Sequence, residues 1–225
     1  MDASATLPAV VDRLVAFHGP PPRPPSTDPF ELVLFENVVY LAPDHRRVEA
    51  FEELRRTIGT RPSDLLGASR KSLEAVTSQG ILKGVSAAKL VECAETCVRD
   101  FGGELAGVVE EPESVARRAL RRFPGIGESG ADRILLFTGK RPLLAPDSNG
   151  LRVLVRLGLV GEESSYARTY AGAKAVAEVL GTDIGRMQLA HGVLRGHGKT
   201  VCRRNKPACV TCPLRDVCAY PQAVE

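Results

Sequence analysis

Apolar residues recur at intervals of three and four along most of this chain, which is the spacing of one face of an α-helix. The segments with this pattern are 7–17, 46–58, 62–68, 72–77, 87–101, 131–138, 149–157, 166–180 and 184–194. We find no convincing stretch in which apolar and polar residues alternate with the period of two that a half-buried strand requires. The pattern therefore predicts an all-α fold.

A proline-rich segment interrupts the helical pattern after the first helix. The run Gly19-Pro20-Pro21-Pro22-Arg23-Pro24-Pro25 favours a stiff extended spacer, so we expect a boundary near residue 27. Asp28 and Pro29 then supply a helix cap and a first-turn proline. The following stretch, 30–42, is apolar on nearly every side, as expected of a helix buried at the centre of a domain.

A second interruption, Phe123-Pro124-Gly125-Ile126-Gly127, lies between two helical segments. Proline removes a backbone donor and glycine accepts the positive φ of a tight turn, so two helices must meet there. The free amides that begin the second helix, together with its dipole, can bind a phosphate oxygen. Gly125 and Gly127 are therefore candidate phosphate ligands, with Arg122 just before them, although an ordinary corner between helices is the alternative.

Composition adds a weak but localised charge signal. The 225 residues are 44% hydrophobic with a net charge of +3, enough for a buried core. Between residues 184 and 215 there are seven Lys or Arg and no Asp or Glu, a distribution that suits a polyanionic partner or else forms a solvated basic tail. We expect a cytosolic protein, because the sequence has neither a membrane-spanning apolar segment nor a signal peptide.

Four of the six cysteines lie in the last 24 residues. In a reducing compartment such a cluster indicates metal ligands rather than disulfides. Only one Cys-x-x-Cys pair is present, which favours an iron–sulfur cube, while a zinc site stays open. The candidate ligands are Cys202, Cys209, Cys212 and Cys218. Cys93 and Cys97 have helical spacing with apolar neighbours and are predicted to be core residues.

Together, these motifs resemble the endonuclease III and MutY branch of the helix-hairpin-helix (HhH-GPD) DNA glycosylases. The similar segments are the cysteine spacing with its approach 197–202, the hairpin 123–127, the segment 147–153 that matches the family's catalytic aspartate, and the helix start 29–32. They cover roughly residues 28 to 220, in the family's order.

The resemblance implies a two-lobed helical fold. Residues 28–140 would form a six-helix barrel with the helix-hairpin-helix, and residues 1–27 plus 141–225 a domain with a [4Fe-4S] cluster. Double-stranded DNA with a damaged or mispaired base would be the partner, bound by a monomer in the cytoplasm, on the nucleoid if the source is bacterial, with no membrane involved. The basic residues expected on DNA phosphates are Arg122, Lys199, Arg203, Arg204 and Lys206.

The resemblance also implies catalytic roles for two carboxylates. Asp147 would stabilise positive charge on the sugar, although local sequence alone favours a helix N-cap. Glu36 matches the catalytic glutamate of the MutY branch. Burial would raise its pKa and make it a general acid, unless it lies on a solvated stripe of its helix.

One position departs from the strand-cutting members of the family. They have a nucleophilic lysine where this chain has Ser129, so we expect a monofunctional glycosylase. A bifunctional lyase and a non-catalytic DNA-binding module are the alternatives. Tyr40, Leu41 and Ser129 are assigned to the base pocket or to the wedge that replaces an extruded base.

Overall fold

The computed structural model describes residues 6–39 and 42–222, and these form helices and loops without a strand. The helices are α1 (Leu7–His18), α2 (Pro29–Asn37), α3 (Asp44–Thr57), α4 (Pro62–Gly67), α5 (Arg70–Val76), α6 (Lys83–Phe101), α7 (Ala106–Glu110), α8 (Glu113–Leu120), α9 (Glu128–Phe137), α10 (Ser148–Arg156), α11 (Tyr166–Ala177), α12 (Ile184–Thr200) and α13 (Ala219–Gln222). Short 3-10 helices lie at Thr77–Gln79, Glu178–Leu180, Cys209–Thr211 and Arg215–Val217. The predicted all-α fold is confirmed.

The chain divides into two compact units. One is the continuous segment Pro24–Lys140, here called the hairpin unit. The other, here called the cysteine unit, combines the chain up to Arg23 with the chain from Arg141 onward. Within the described residues, no helix is both long and apolar enough to cross a lipid bilayer.

Helix α2 forms the centre of the hairpin unit. It begins where predicted because the Asp28 carboxylate accepts the Glu31 N–H at 2.9 Å and Pro29 occupies the first turn. Leu32, Val33 and Leu34 are all buried, as a helix packed on several sides requires. The neighbouring helices are α3, α6 and α9.

Helix α12 organises the cysteine unit by packing against both α1 and α10. It continues to Thr200, six residues beyond the predicted end at Leu194, through two glycines, Gly196 and Gly198, that weaken an isolated helix. Tertiary packing overrides that propensity at Gly198, where a Cβ would lie 2.5 Å from the carbonyl oxygen of Asn149. Glycine is therefore what lets α12 approach α10 so closely.

Other differences from the prediction are local. Helix α6 starts at Lys83 rather than residue 87, since Gly84 is accepted in its first turn. Helix α7 was not predicted, because five residues are too few to show a helical period. The predicted helix 30–42 ends at Asn37, and Tyr40 and Leu41 lie outside the described residues.

Candidate active site and candidate metal centre

The glycine hairpin joins α8 to α9 and rests against the end of α2. Gly125 has φ +71°, and a Cβ there would lie 2.7 Å from Oδ1 of Asn37. Asn37 is itself buried and donates from Nδ2 to the Val33 carbonyl at 3.0 Å. Both the conformation and the close contact require glycine at 125. Gly127 is the N-cap of α9 and brings no side-chain acceptor to the amides of the first turn.

Glu36 is an ion-paired carboxylate whose side chain is 14% exposed. Arg133 of α9 donates from Nε to Oε1 at 2.8 Å, and Arg47 of α3 lies 3.1 Å from Oε2. Burial alone would raise the pKa of Glu36, but the positive charges of Arg133 and then Arg47 outweigh burial and hold the pKa far below its usual 4.5. The predicted upward shift is therefore wrong, and so is the alternative of a solvated stripe. The lowered pKa favours the carboxylate form of Glu36 at neutral pH, and that form cannot donate a proton.

A cavity of about 100 Å³ opens beside Glu36 within the hairpin unit. Its lining residues are Glu36, Asn37, Leu82, Val85, Ser86 and Lys89. A Cβ on Gly125 would lie 3.7 Å from the Lys89 Nζ, so this ammonium group lies at the hairpin. The sequence pattern did not indicate that α6 contributes to this site. The sequence signal was the apolar pair Ile81-Leu82 directly after Gly80, in a predicted turn. In the structure Ile81 is 72% and Leu82 48% exposed.

The remaining candidates of the hairpin unit have distinct surroundings. Ser129 is the second residue of α9 and is half-buried. Arg122 is exposed but engaged, since Nη2 lies 2.8 Å from Oδ2 of Asp100 and the guanidinium stacks on Phe101. To bind a DNA phosphate as predicted, the Arg122 guanidinium would either leave Asp100 or contact both groups at once.

Asp147 is the N-cap of α10 in the cysteine unit. Oδ1 accepts the backbone N–H groups of Asn149 at 2.8 Å and Gly150 at 2.9 Å, which confirms the local prediction of a cap. Oδ2 lies 2.9 Å from Nε of Arg195, a partner that the sequence pattern did not indicate.

The electrostatics of Asp147 keep it ionised. Burial would raise its pKa, but the Arg195 charge, the Gly150 amide and His191 act in the opposite direction and lower the pKa below its usual value. His191 is buried on α12, with Nδ1 2.7 Å from the Ala145 carbonyl oxygen. The carboxylate is thus available as a fixed negative charge at neutral pH.

The four C-terminal cysteines line one common cavity. Burial raises the pKa of Cys212, and the neighbouring thiols of Cys202 and Cys209 raise it further. Such crowding suits four thiolates that share a metal centre. Among the described residues, no group of three or more His, Cys, Asp or Glu is placed to hold a single metal ion.

Three side chains outside the cysteine motif surround this centre. Arg156 lies 3.4 Å from Sγ of Cys202 and donates to the carbonyl oxygens of Arg203 and Arg204 at 2.8 and 3.1 Å. Arg152 donates to the Cys202 carbonyl at 3.0 Å and also to that of Gly198. The third is His197, whose Nε2 lies 3.5 Å from Sγ of Cys212.

Four of the basic residues predicted to bind phosphates lie next to Cys202 in the sequence. Arg203, Arg204 and Lys206 are exposed, while Lys199 is half-buried at the end of α12. Because Arg156 holds the backbone of residues 203 and 204, their side chains project from a fixed loop.

We compared the chain with known proteins by sequence and by fold. The chain matches no protein-family model. It is 25% identical over 194 residues to an endonuclease III of Thermotoga maritima, covering 86% of this chain and 84% of the relative. It is 22% identical over 198 residues to a thymine-DNA glycosylase of Aeropyrum pernix, covering 87% and 84%. Its fold is similar to that in a non-covalent endonuclease III–DNA complex, with a TM-score of 0.76 at 18% identity over 98% of both chains.

Proposed function

We propose that this chain is a helix-hairpin-helix DNA glycosylase that hydrolyses the N-glycosidic bond of a damaged or mispaired base in double-stranded DNA without cutting the strand. The general activity, a DNA glycosylase in base excision repair, is supported by the similarity to endonuclease III and to a thymine-DNA glycosylase. The hydrolytic, monofunctional chemistry depends on this chain's own residues.

Ser129 is the observation on which the monofunctional proposal rests. It is the second residue of α9, directly after the hairpin, where strand-cutting relatives are expected to have a lysine. A lysine amine attacks the sugar and forms a Schiff base, whereas a hydroxyl cannot form an imine. Water is then the nucleophile, and an intact abasic strand is the product.

Asp147 is proposed to stabilise the sugar as the bond breaks. Cleavage of a glycosidic bond passes through a transition state with oxocarbenium character, which a fixed negative charge stabilises. The carboxylate meets that requirement because its pKa is lowered and its two oxygens are held by the α10 amides and Arg195. Glu36, in contrast, is not proposed as the proton donor.

Contacts to DNA are proposed from residues of each unit. In the hairpin unit, the amides after Gly125 and Gly127 would bind a phosphate, and the exposed Leu82 is suited to replace an extruded base in the stack. In the cysteine unit, Arg203, Arg204 and Lys206 would bind phosphates.

A [4Fe-4S] cluster on Cys202, Cys209, Cys212 and Cys218 is part of the proposal. Four thiolates around one cavity provide the donor set that such a cluster uses. When bound, the cluster would supply a rigid crosslink of the loop. The chain's own residues, above all Arg156, would then keep the exposed arginines in position.

Lys89 favours a second candidate function, a glycosylase that also cuts the strand. Its ammonium lies at the hairpin and lines the cavity beside Glu36, so an amine nucleophile from α6 would replace the missing one on α9. This alternative predicts a covalent imine that depends on Lys89.

Duplexes that each contain one modified base test both functions. The products are compared on denaturing gels with and without alkali, and parallel reactions contain borohydride, which traps an imine. Bands that need alkali, with no trapped adduct, support hydrolysis. Ser129→Lys is the positive control, because it restores the amine and should give a trapped adduct.

A trapped adduct in the wild type that disappears in Lys89→Ala would replace the monofunctional proposal with the second candidate. Binding of the duplexes without release of any base from the panel would contradict catalysis altogether.

A further inference from the structure

A histidine pair connects the first helix of the chain to the cysteine loop. His197 lies in the last turns of α12 and is 1% exposed. Its Nδ1 is 3.0 Å from Nε2 of His18, the last residue of α1. Its Nε2 is 3.5 Å from Sγ of Cys212. The three side chains thus form a continuous chain of hydrogen bonds.

The donor and acceptor of each hydrogen bond follow from the state of the Cys212 sulfur. A cysteine that ligates a metal is a thiolate, which can accept a hydrogen bond but cannot donate one. The proton of His197 must then be on Nε2. In the neutral imidazole Nδ1 is consequently an acceptor, and His18 must donate from Nε2. His18 therefore selects the tautomer of His197 that can donate to the sulfur.

Helix α1 is held against the same loop by a second set of contacts. Arg13 donates from Nη1 to Oδ2 of Asp216 at 3.0 Å and from Nη2 to the Pro213 carbonyl. Both partners lie between Cys212 and Cys218 in the sequence. The position of His18 relative to the loop is thus set independently of the histidine pair.

We propose that His197 is a positioning residue of the metal centre, donating a hydrogen bond to the Cys212 sulfur in the tautomer that His18 selects. This inference rests on the proposed cluster. Hydrogen bonds to ligand sulfurs stabilise the more negative, reduced state of an iron–sulfur cluster and thus raise its reduction potential. They also orient the ligand, and loss of such outer contacts typically weakens metal retention about 10- to 100-fold.

The test uses the full-length protein with its cluster and compares His197→Ala, His197→Gln and His18→Ala with the wild type. The measurements are the midpoint potential by protein-film voltammetry, the Fe–S stretching frequencies by resonance Raman, and the rate of iron loss to a chelator. Val210→Ala is the matched control, because Val210 is 82% exposed in the same loop and has no role in the proposal.

His197→Ala is expected to shift the potential to more negative values, to change the Fe–S frequencies and to lose iron about 10- to 100-fold faster. His197→Gln should recover part of each effect, because its amide can donate to sulfur. His18 is exposed, so His18→Ala should fold and shift each quantity in the same direction by less.

Two results would overturn the inference, and they can be told apart. In the first result, the protein carries a cluster, but His197→Ala and His18→Ala keep the wild-type potential, Fe–S frequencies and rate of iron loss. The proposed cluster would then stand, and the role of His197 would be wrong. In the second result, the wild-type protein takes up no iron under reducing reconstitution. The proposed cluster would then be wrong as well.

Discussion

Arg195 lies against Asp147, with 2.9 Å between Nε and Oδ2, while the first amides of α10 occupy the other carboxylate oxygen. This arrangement locks the orientation of the carboxylate and keeps it ionised. It also places the positive charge of Arg195 beside the Asp147 carboxylate, to which we assign the catalytic role. Arg195 therefore sets both the geometry and the effective charge of Asp147.

Replacing Asp147 by Asn should slow base release about 10²- to 10³-fold, the usual cost of losing one preorganised electrostatic group. Asparagine caps helices as well as aspartate, so the fold should be retained. Single-turnover excision measures the rate. Asp183→Asn is the matched control, because Asp183 caps α12 through the amide of Arg186. Equal losses in the two variants would mean that capping, not charge, is what matters.

Replacing Arg195 by Gln should move the acid limb of the pH–rate profile to higher pH. Arg195 lowers the pKa of Asp147 against the effect of burial, so its removal lets the pKa rise and the carboxylate becomes protonated at a higher pH. Single-turnover rates between about pH 4 and 8 provide the measurement. An unchanged acid limb would show that protonation of Asp147 does not control the rate.

Glu36→Gln should lower the free energy of unfolding by about 3 kcal/mol at pH 7, because it leaves Arg47 and Arg133, whose side chains are 16% and 17% exposed, without their counter-charge. The folded-state pKa of Glu36 is depressed, so its contribution is complete above the usual pKa of 4.5 and declines as the pH falls below it.

Urea unfolding of wild type and variant at pH 7 and at about pH 3.5 tests this prediction, with a smaller difference expected at the lower pH. Glu53→Gln, which breaks a more exposed pair with Arg56, should change stability by no more than about 0.5 kcal/mol. A Glu36 effect that grows on acidification would contradict the assigned ion pair.

Gly125→Ala should destabilise the hairpin by about 1 to 2 kcal/mol from the left-handed backbone alone, with a further cost from the contact with Asn37. Gly127→Ala is the comparison, because Gly127 has negative φ and a Cβ added there would meet no atom within 4 Å. Thermal unfolding and DNA affinity should both decline more for Gly125→Ala. Equal effects would remove the special role of residue 125.

Arg203→Ala and Arg204→Ala should each weaken DNA binding uniformly across sequences. Each should also reduce the slope of log affinity against log salt by about one. The loop should keep its shape, because Arg156 holds backbone carbonyls that both variants retain. Titrations at several salt concentrations measure the slope. Arg56→Ala, an exposed arginine in the hairpin unit, is the control and should leave it unchanged.

The sequence was sufficient where local rules decide the structure. Proline and glycine at 124–127 predicted the hairpin, and Asp147 before a helical segment predicted an N-cap, because both depend on neighbouring residues. The state of Glu36 could not be predicted in this way. Its partner Arg133 is 97 residues away, and burial alone indicates a pKa shift in the wrong direction. The prediction failed because a distant charge outweighed a local effect.

The contacts of Arg13 with Asp216 and Pro213 also constrain the order in which the chain can fold. A ribosome releases α1 before the cysteine loop. The hairpin unit is continuous and can close while synthesis proceeds, whereas the cysteine unit must join segments about 200 residues apart. Because closing so long a loop is slow, we expect the cysteine unit to complete its folding after the hairpin unit.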